Sequence, residues 1–195
     1  MVTQSPVIFG WAEQLLGKGE VTGDRGGRPG IRGIYCVLPS GHLPKKPTIC
    51  HCDVGLAGLP SVDNKTLFAT GLGVVGLIED IPPHGGAFTV WPGTHQKIYQ
   101  LFLSTEGPER AEAYKKRIIE FNDDLHVEGF GKAGDVLLWH RLLAHTAGHN
   151  RSEKLQLREA VLSDYSKIDP LDSPDLVSYQ DMWRDWSEEV RTAPI

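Results

Sequence analysis

Residues 131–150 read Gly-Lys-Ala-Gly-Asp-Val-Leu-Leu-Trp-His-Arg-Leu-Leu-Ala-His-Thr-Ala-Gly-His-Asn. A short apolar run, Asp135 to Trp139, follows a glycine and leads into two histidines, His140 and His145. It is too short for a helix of ordinary length and reads as a buried strand. Five similar runs, punctuated by Gly and Pro, precede and follow it: Ile34 to Leu38, Thr48 to Cys52, Gly73 to Ile78, Ala87 to Trp91 and Leu157 to Leu162. Many short strands with turn signals between them predict a mainly β protein. The expected architecture is a double-stranded β-helix, a cupin-like jelly roll whose two sheets enclose a cavity.

Two helical stripes interrupt this pattern. Ala111, Tyr114, Ile118 and Phe121 form an insertion, and Leu176, Tyr179, Trp183, Trp186 and Val190 form a C-terminal helix. Ser173 followed by Pro174 suits the first turn of the second helix, placing it at 173–192. Its tryptophans can brace a sheet or face the partner in a homodimer. Gly17 to Gly33 carries seven glycines and reads as a loop. The expected organisation is one domain over 1–195: an N-terminal segment and Gly-rich loop (1–33), a jelly-roll core (34–165) and the helix at 173–192.

With 195 residues, 40% hydrophobic and 23% charged, the chain can bury one good core. A net charge of -5 without a basic stripe argues against nucleic-acid or anionic-membrane surfaces, leaving a small-molecule substrate as the expected partner. No leader pattern or membrane-length apolar stretch stands out, so a cytoplasmic location is expected. Cys36, Cys50 and Cys52 are odd in number and are expected as reduced thiols.

The chemistry centres on His51-Cys52-Asp53. Side chains alternate along a strand, so an imidazole and a carboxylate point to the same side. A distant histidine would complete a set of two His and one carboxylate, the facial arrangement of non-haem Fe(II) oxygenases. Spacing leaves His140 and His145 both open for that position. A cofactor carboxylate calls for an arginine fork. Arg158, inside an apolar strand where an unpaired charge is costly, is favoured over Arg151 in a polar turn.

From about His51 to Tyr165 the chain resembles the phytanoyl-CoA dioxygenase family. Ile78-Glu79-Asp80-Ile81, Gly85-Gly86-Ala87-Phe88 and Pro92-Gly93-Thr94-His95 are similar to its central block. Gly134 to His140, Leu142 to His145 and Asn150 are similar to its distal-histidine block. The resemblance implies Fe(II) held by His51, Asp53 and His145, with Arg158 gripping 2-oxoglutarate. It implies O2-dependent hydroxylation with release of succinate and CO2, the carboxylate of Asp53 favouring hydroxylation over halogenation. The sequence departs from the family's habit at Ala147 and Val75. The alternative readings are a cupin-like binder of another metal, and a family member that does not turn over 2-oxoglutarate.

Overall fold

The computed structural model describes residues 5–22, 31–42, 49–53, 71–105, 107–152, 156–167, 183 and 186–193. The helices are α1 (Pro6–Leu16), α2 (Thr94–Ser104), α3 (Gly107–Phe121) and α4 (Glu188–Thr192). The strands are β1 (Val21–Thr22), β2 (Ile31–Val37), β3 (Gly71–Leu77), β4 (Phe88–Val90), β5 (Val127–Gly129), β6 (Val136–His140), β7 (His145–Ala147) and β8 (Arg158–Lys167).

Two antiparallel sheets form the core of a jelly roll. The larger runs β1-β8-β3-β6, with β2 also pairing β8, and the smaller runs β5-β4-β7. One residue of each strand faces inward and the next outward. In the large sheet, Asp164, Gly73 and Trp139 lie side by side on the inner face, and Leu162, Val75 and Leu137 form the next row. Val75, Trp139, Ala160 and Leu162 meet Phe88 and Val90 of the small sheet, closing the sandwich.

The outer face of the large sheet is covered by α1. Pro6 at the first turn fixes a helical φ, and Ile8, Ala12 and Leu16 repeat every four residues to bury one stripe against Leu72, Val74 and Tyr165. Gly17, at φ 121°, ends the helix. The small sheet is backed by α2 and α3, whose Ile98, Phe102, Tyr114, Ile118 and Phe121 pack with Trp91, Cys50 and Cys52. Fully burying such an aromatic or aliphatic side chain contributes about 1.5–3 kcal/mol, so this helical layer is an integral part of the core.

The α3 stripe is the one expected from the sequence. Helices α1 and α2 were not expected, though Ile8-Ala12-Leu16 and Thr94-Ile98-Phe102 carry the four-residue spacing. The stretch 17–33 is not all loop, because Val21–Thr22 and Ile31–Gly33 pair with β8. Of the expected 173–192 helix, α4 takes Glu188–Thr192. Trp183 and Trp186 form a turn ahead of it, joined by the Trp186 N–H to the Trp183 carbonyl. The start at Ser173-Pro174 lies outside the described residues. All three cysteines are free. No helix among the described residues is long and apolar enough to cross a membrane.

Candidate metal centre

The segment Cys50 to Asp53 lies beside β7, and its two faces have different fates. Cys50 and Cys52 are buried in the layer of α2 and α3, while His51 and Asp53 line a cavity between the sheets. The expected strand Thr48 to Cys52 is realised only at His51, which forms a single antiparallel bridge with His145. The reason lies in the backbone donors. With His51 paired to His145, a ladder would send the Asp53 N–H to the residue-143 carbonyl, but it goes to that of Arg141, so pairing stops, while the N–H groups of residues 50 and 52 face away and go to α3-side side chains. Thr48 itself lies outside the described residues.

His145 opens β7 and is 4% exposed. Its ring lies 4.5 Å from that of His51, and its Nε2 is 3.7 Å from Asp53 Oδ2. One ligand atom from each of His51, Asp53 and His145 falls within 4.8 Å of the others. First-row metal bonds are about 2.0–2.2 Å, so small side-chain rotations bring all three donors onto one ion. The Nδ1–H of His145 donates to the Leu143 carbonyl at 2.8 Å, which leaves the Nε2 lone pair for the cavity. Burial pulls the His145 pKa down to about 4, opposed by the nearby Asp53 carboxylate. The imidazole is therefore neutral at physiological pH, as a ligand must be.

The tertiary structure separates the two histidines that spacing left open. His140 ends β6 pointing outward, where its ring stacks on Trp186 at 5.4 Å and its Nδ1 accepts the Leu142 N–H. His95 lies on the same outer side, 5.9 Å from His140 and beside Trp183, and burial lowers its pKa. Neither reaches the cavity.

The cavity measures about 340 Å³ and includes Arg158 in its wall. Arg158 is 2% exposed, and its Nε is buried without a hydrogen-bond partner. Burial lowers its pKa, with Cys36 opposing, yet a guanidinium stays charged at any ordinary pH. A buried cation with an unused donor beside three converging side chains that could hold a metal fits an anionic ligand spanning the two. Arg151 does not line this cavity. Its backbone N–H is spent on the His84 carbonyl.

Several cavity residues escaped the sequence reading. Trp139 projects inward across Gly73, where a Cβ would overlap the indole, and its ring lies 5.3 Å from His145 and 4.7 Å from Phe88. Asp164 lines the wall and forms a buried ion pair with Arg141 at 3.1 Å. Val37, Thr146 and Leu162 complete much of the remainder. Asp164 carried a readable signal, because it shares with Arg158 the even-numbered inner face of β8.

No match is found among curated proteins. Among solved structures, the chain is similar to the epimerase SnoN in complex with Fe3+, alpha-ketoglutarate and nogalamycin RO, at 21% identity and a TM-score of 0.52, covering 85% of this chain and 57% of that one. It is also similar to EvdMO1, at 18% identity and a TM-score of 0.50, covering 85% of this chain and 32% of that one. A third similarity is to the non-heme monooxygenase ThoJ in a nickel complex, at 15% identity and a TM-score of 0.50, covering 83% and 50%. This chain therefore spans between a third and three fifths of those lengths, and the likeness establishes a common fold. The model of the phytanoyl-CoA dioxygenase (PhyH) family matches residues 46–160, a stretch that begins just before His51 and runs through His145 to Arg158, and the chain belongs to that family.

Proposed function

We propose that this protein is an Fe(II)- and 2-oxoglutarate-dependent dioxygenase that hydroxylates a small organic or lipid-like substrate. The carrying observation is that His51, Asp53 and His145 share one cavity with Arg158, a buried arginine whose Nε lacks a partner. Membership of a dioxygenase family supports the same reading.

In this reading His51, Asp53 and His145 would hold the iron, in the cavity that all three line. Bound iron would supply the oxidising chemistry, coupling O2-dependent decarboxylation of 2-oxoglutarate to succinate and CO2 with oxygen insertion into substrate. The chain's own residues bind, orient and exclude water. Arg158, in the wall of the same cavity, would pair with the far carboxylate of the cosubstrate and so orient it. The Leu143 carbonyl keeps the proton of His145 on Nδ1 and its lone pair on Nε2. Phe88, Trp139 and Leu162 wall the cavity with apolar surface, which strengthens each polar contact inside it.

The test is anaerobic titration of the purified protein with Fe(II) and 2-oxoglutarate, following the visible charge-transfer band of the chelated cosubstrate. The proposal expects a band that requires both components and weakens in Arg158→Ala. Metal binding with no band would replace it with the cupin-like or non-turnover reading.

A further inference from the structure

The metal-binding segment is tethered from two sides in strict alternation. The N–H groups of His51 and Asp53 donate to the His145 and Arg141 carbonyls at 2.9 and 3.0 Å. The N–H of Cys52, lying between the two, donates to the hydroxyl of Tyr114 at 2.9 Å, and that of Cys50 donates to Asn122 Oδ1 at 3.3 Å. Tyr114 lies on α3 and Asn122 just beyond its end. The helical insertion thus supplies the hydrogen-bond acceptors on the face turned away from the cavity.

We infer that Tyr114 is a positioning residue for the metal centre, holding the Cys52 peptide so that His51 and Asp53 present their donors together. The inference rests on the metal-centre reading above. Tyr114 is buried, with its ring stacked on Phe102 at 6.2 Å, so the hydroxyl is carried by a fixed side chain. Cys52 is buried as well, and its thiol donates to the Leu142 carbonyl at 3.1 Å. Its N–H therefore has no ready access to water, and loss of the Tyr114 oxygen leaves a buried donor unsatisfied. That donor sits one residue from each of two ligands. A peptide free to rotate there swings both side chains, which must then be ordered when the ion binds. Groups that orient metal ligands in this way typically control about 10- to 100-fold in metal affinity.

The experiment uses Co(II) as the metal probe on the full chain and compares Tyr114→Phe with Ile118→Val. The second variant thins the same buried helix face but removes no hydrogen bond. Expected for Tyr114→Phe is Co(II) affinity weaker by about 10- to 100-fold with an altered visible spectrum, and faster amide exchange over residues 49–53 in the metal-free protein. Ile118→Val is expected to bind and absorb as the wild type does, even where its melting temperature falls equally. Affinity of Tyr114→Phe within about twofold of Ile118→Val, or unchanged exchange over 49–53, overturns the inference. Should Tyr114→Phe not fold, Asn122→Ala removes the neighbouring acceptor and is judged by the same two readouts. If the wild type takes up no Co(II), the metal-centre reading fails, while the exchange comparison still decides whether Tyr114 holds this segment.

Discussion

His51 and His145 exchange a reciprocal pair of backbone hydrogen bonds, 2.9 Å from the His51 N–H and 2.8 Å from the His145 N–H, which sets their rings side by side. Residues 94 positions apart are thereby fixed by main chain rather than by side-chain packing. Such a bridge aligns the two imidazoles in the metal-free fold, which would lower the ordering cost of binding an ion there.

The buried, neutral His145 gives the metal-free protein a defined pH dependence. Its pKa is near 4 when folded against an ordinary 6.5, so the unfolded chain binds more protons between these values. Stability is complete above about pH 6.5 and falls as pH drops toward 4, by on the order of 3 kcal/mol. Melting curves in chelator at pH 7 and pH 5 check this, with His145→Gln as comparator. A wild type whose fall across this window matches that of His145→Gln would contradict it.

Arg158→Lys should keep metal binding but weaken 2-oxoglutarate by roughly 30-fold or more, since lysine offers a point charge in place of a planar fork. A charged hydrogen bond lost from a buried pair costs about 2 kcal/mol or more. The anaerobic absorption titration reads both quantities separately. Equal cosubstrate affinity in the two proteins would remove Arg158 from the site.

Gly73→Ala should destabilise the protein by about 1–3 kcal/mol, because the new methyl occupies space taken by the Trp139 indole. A smaller partner should relieve the clash, so Gly73→Ala with Trp139→Leu is expected to lose less than the sum of the two single changes. Denaturant melts of the four proteins close the cycle, and simple additivity would show that the indole moves away freely.

Asp164→Ala removes the carboxylate that Arg141 meets at 3.1 Å in a buried setting and should cost about 3 kcal/mol. Replacing both residues with apolar ones of similar volume, Arg141→Met with Asp164→Leu, should recover much of that loss. Chemical denaturation distinguishes the outcomes. A loss below about 1 kcal/mol for Asp164→Ala would mean that water reaches the pair and solvates the remaining charge.

Strands β2, β3, β4, β6 and β8 and the chemistry-bearing residue types were legible in the sequence, whereas the short β1, β5 and β7 and the isolated bridge at His51 were not. Alternation placed His51 and Asp53 on one side, and an arginine inside an apolar run marked Arg158 as a residue whose burial needs a reason. Those are local properties, readable because side-chain direction follows backbone period. The α3 stripe was legible for the same reason, whereas α2 was not: it starts directly after the Pro92-Gly93 turn, with Gly93 at its N-cap and no capping side chain to mark its first turn.

Which of His140 and His145 lies in the cavity beside His51 came from the tertiary structure alone. Both follow β6 closely, but the reversal at 141–144 sends His145 into the smaller sheet beside His51 and leaves His140 against Trp186. It also decided which groups surround the cavity. Trp139 crosses Gly73, Arg141 meets Asp164, and Tyr114 reaches the Cys52 amide, and each contact joins strands or helices distant in sequence. No local period encodes such pairings, because they arise from how two sheets and a helical layer close over one another.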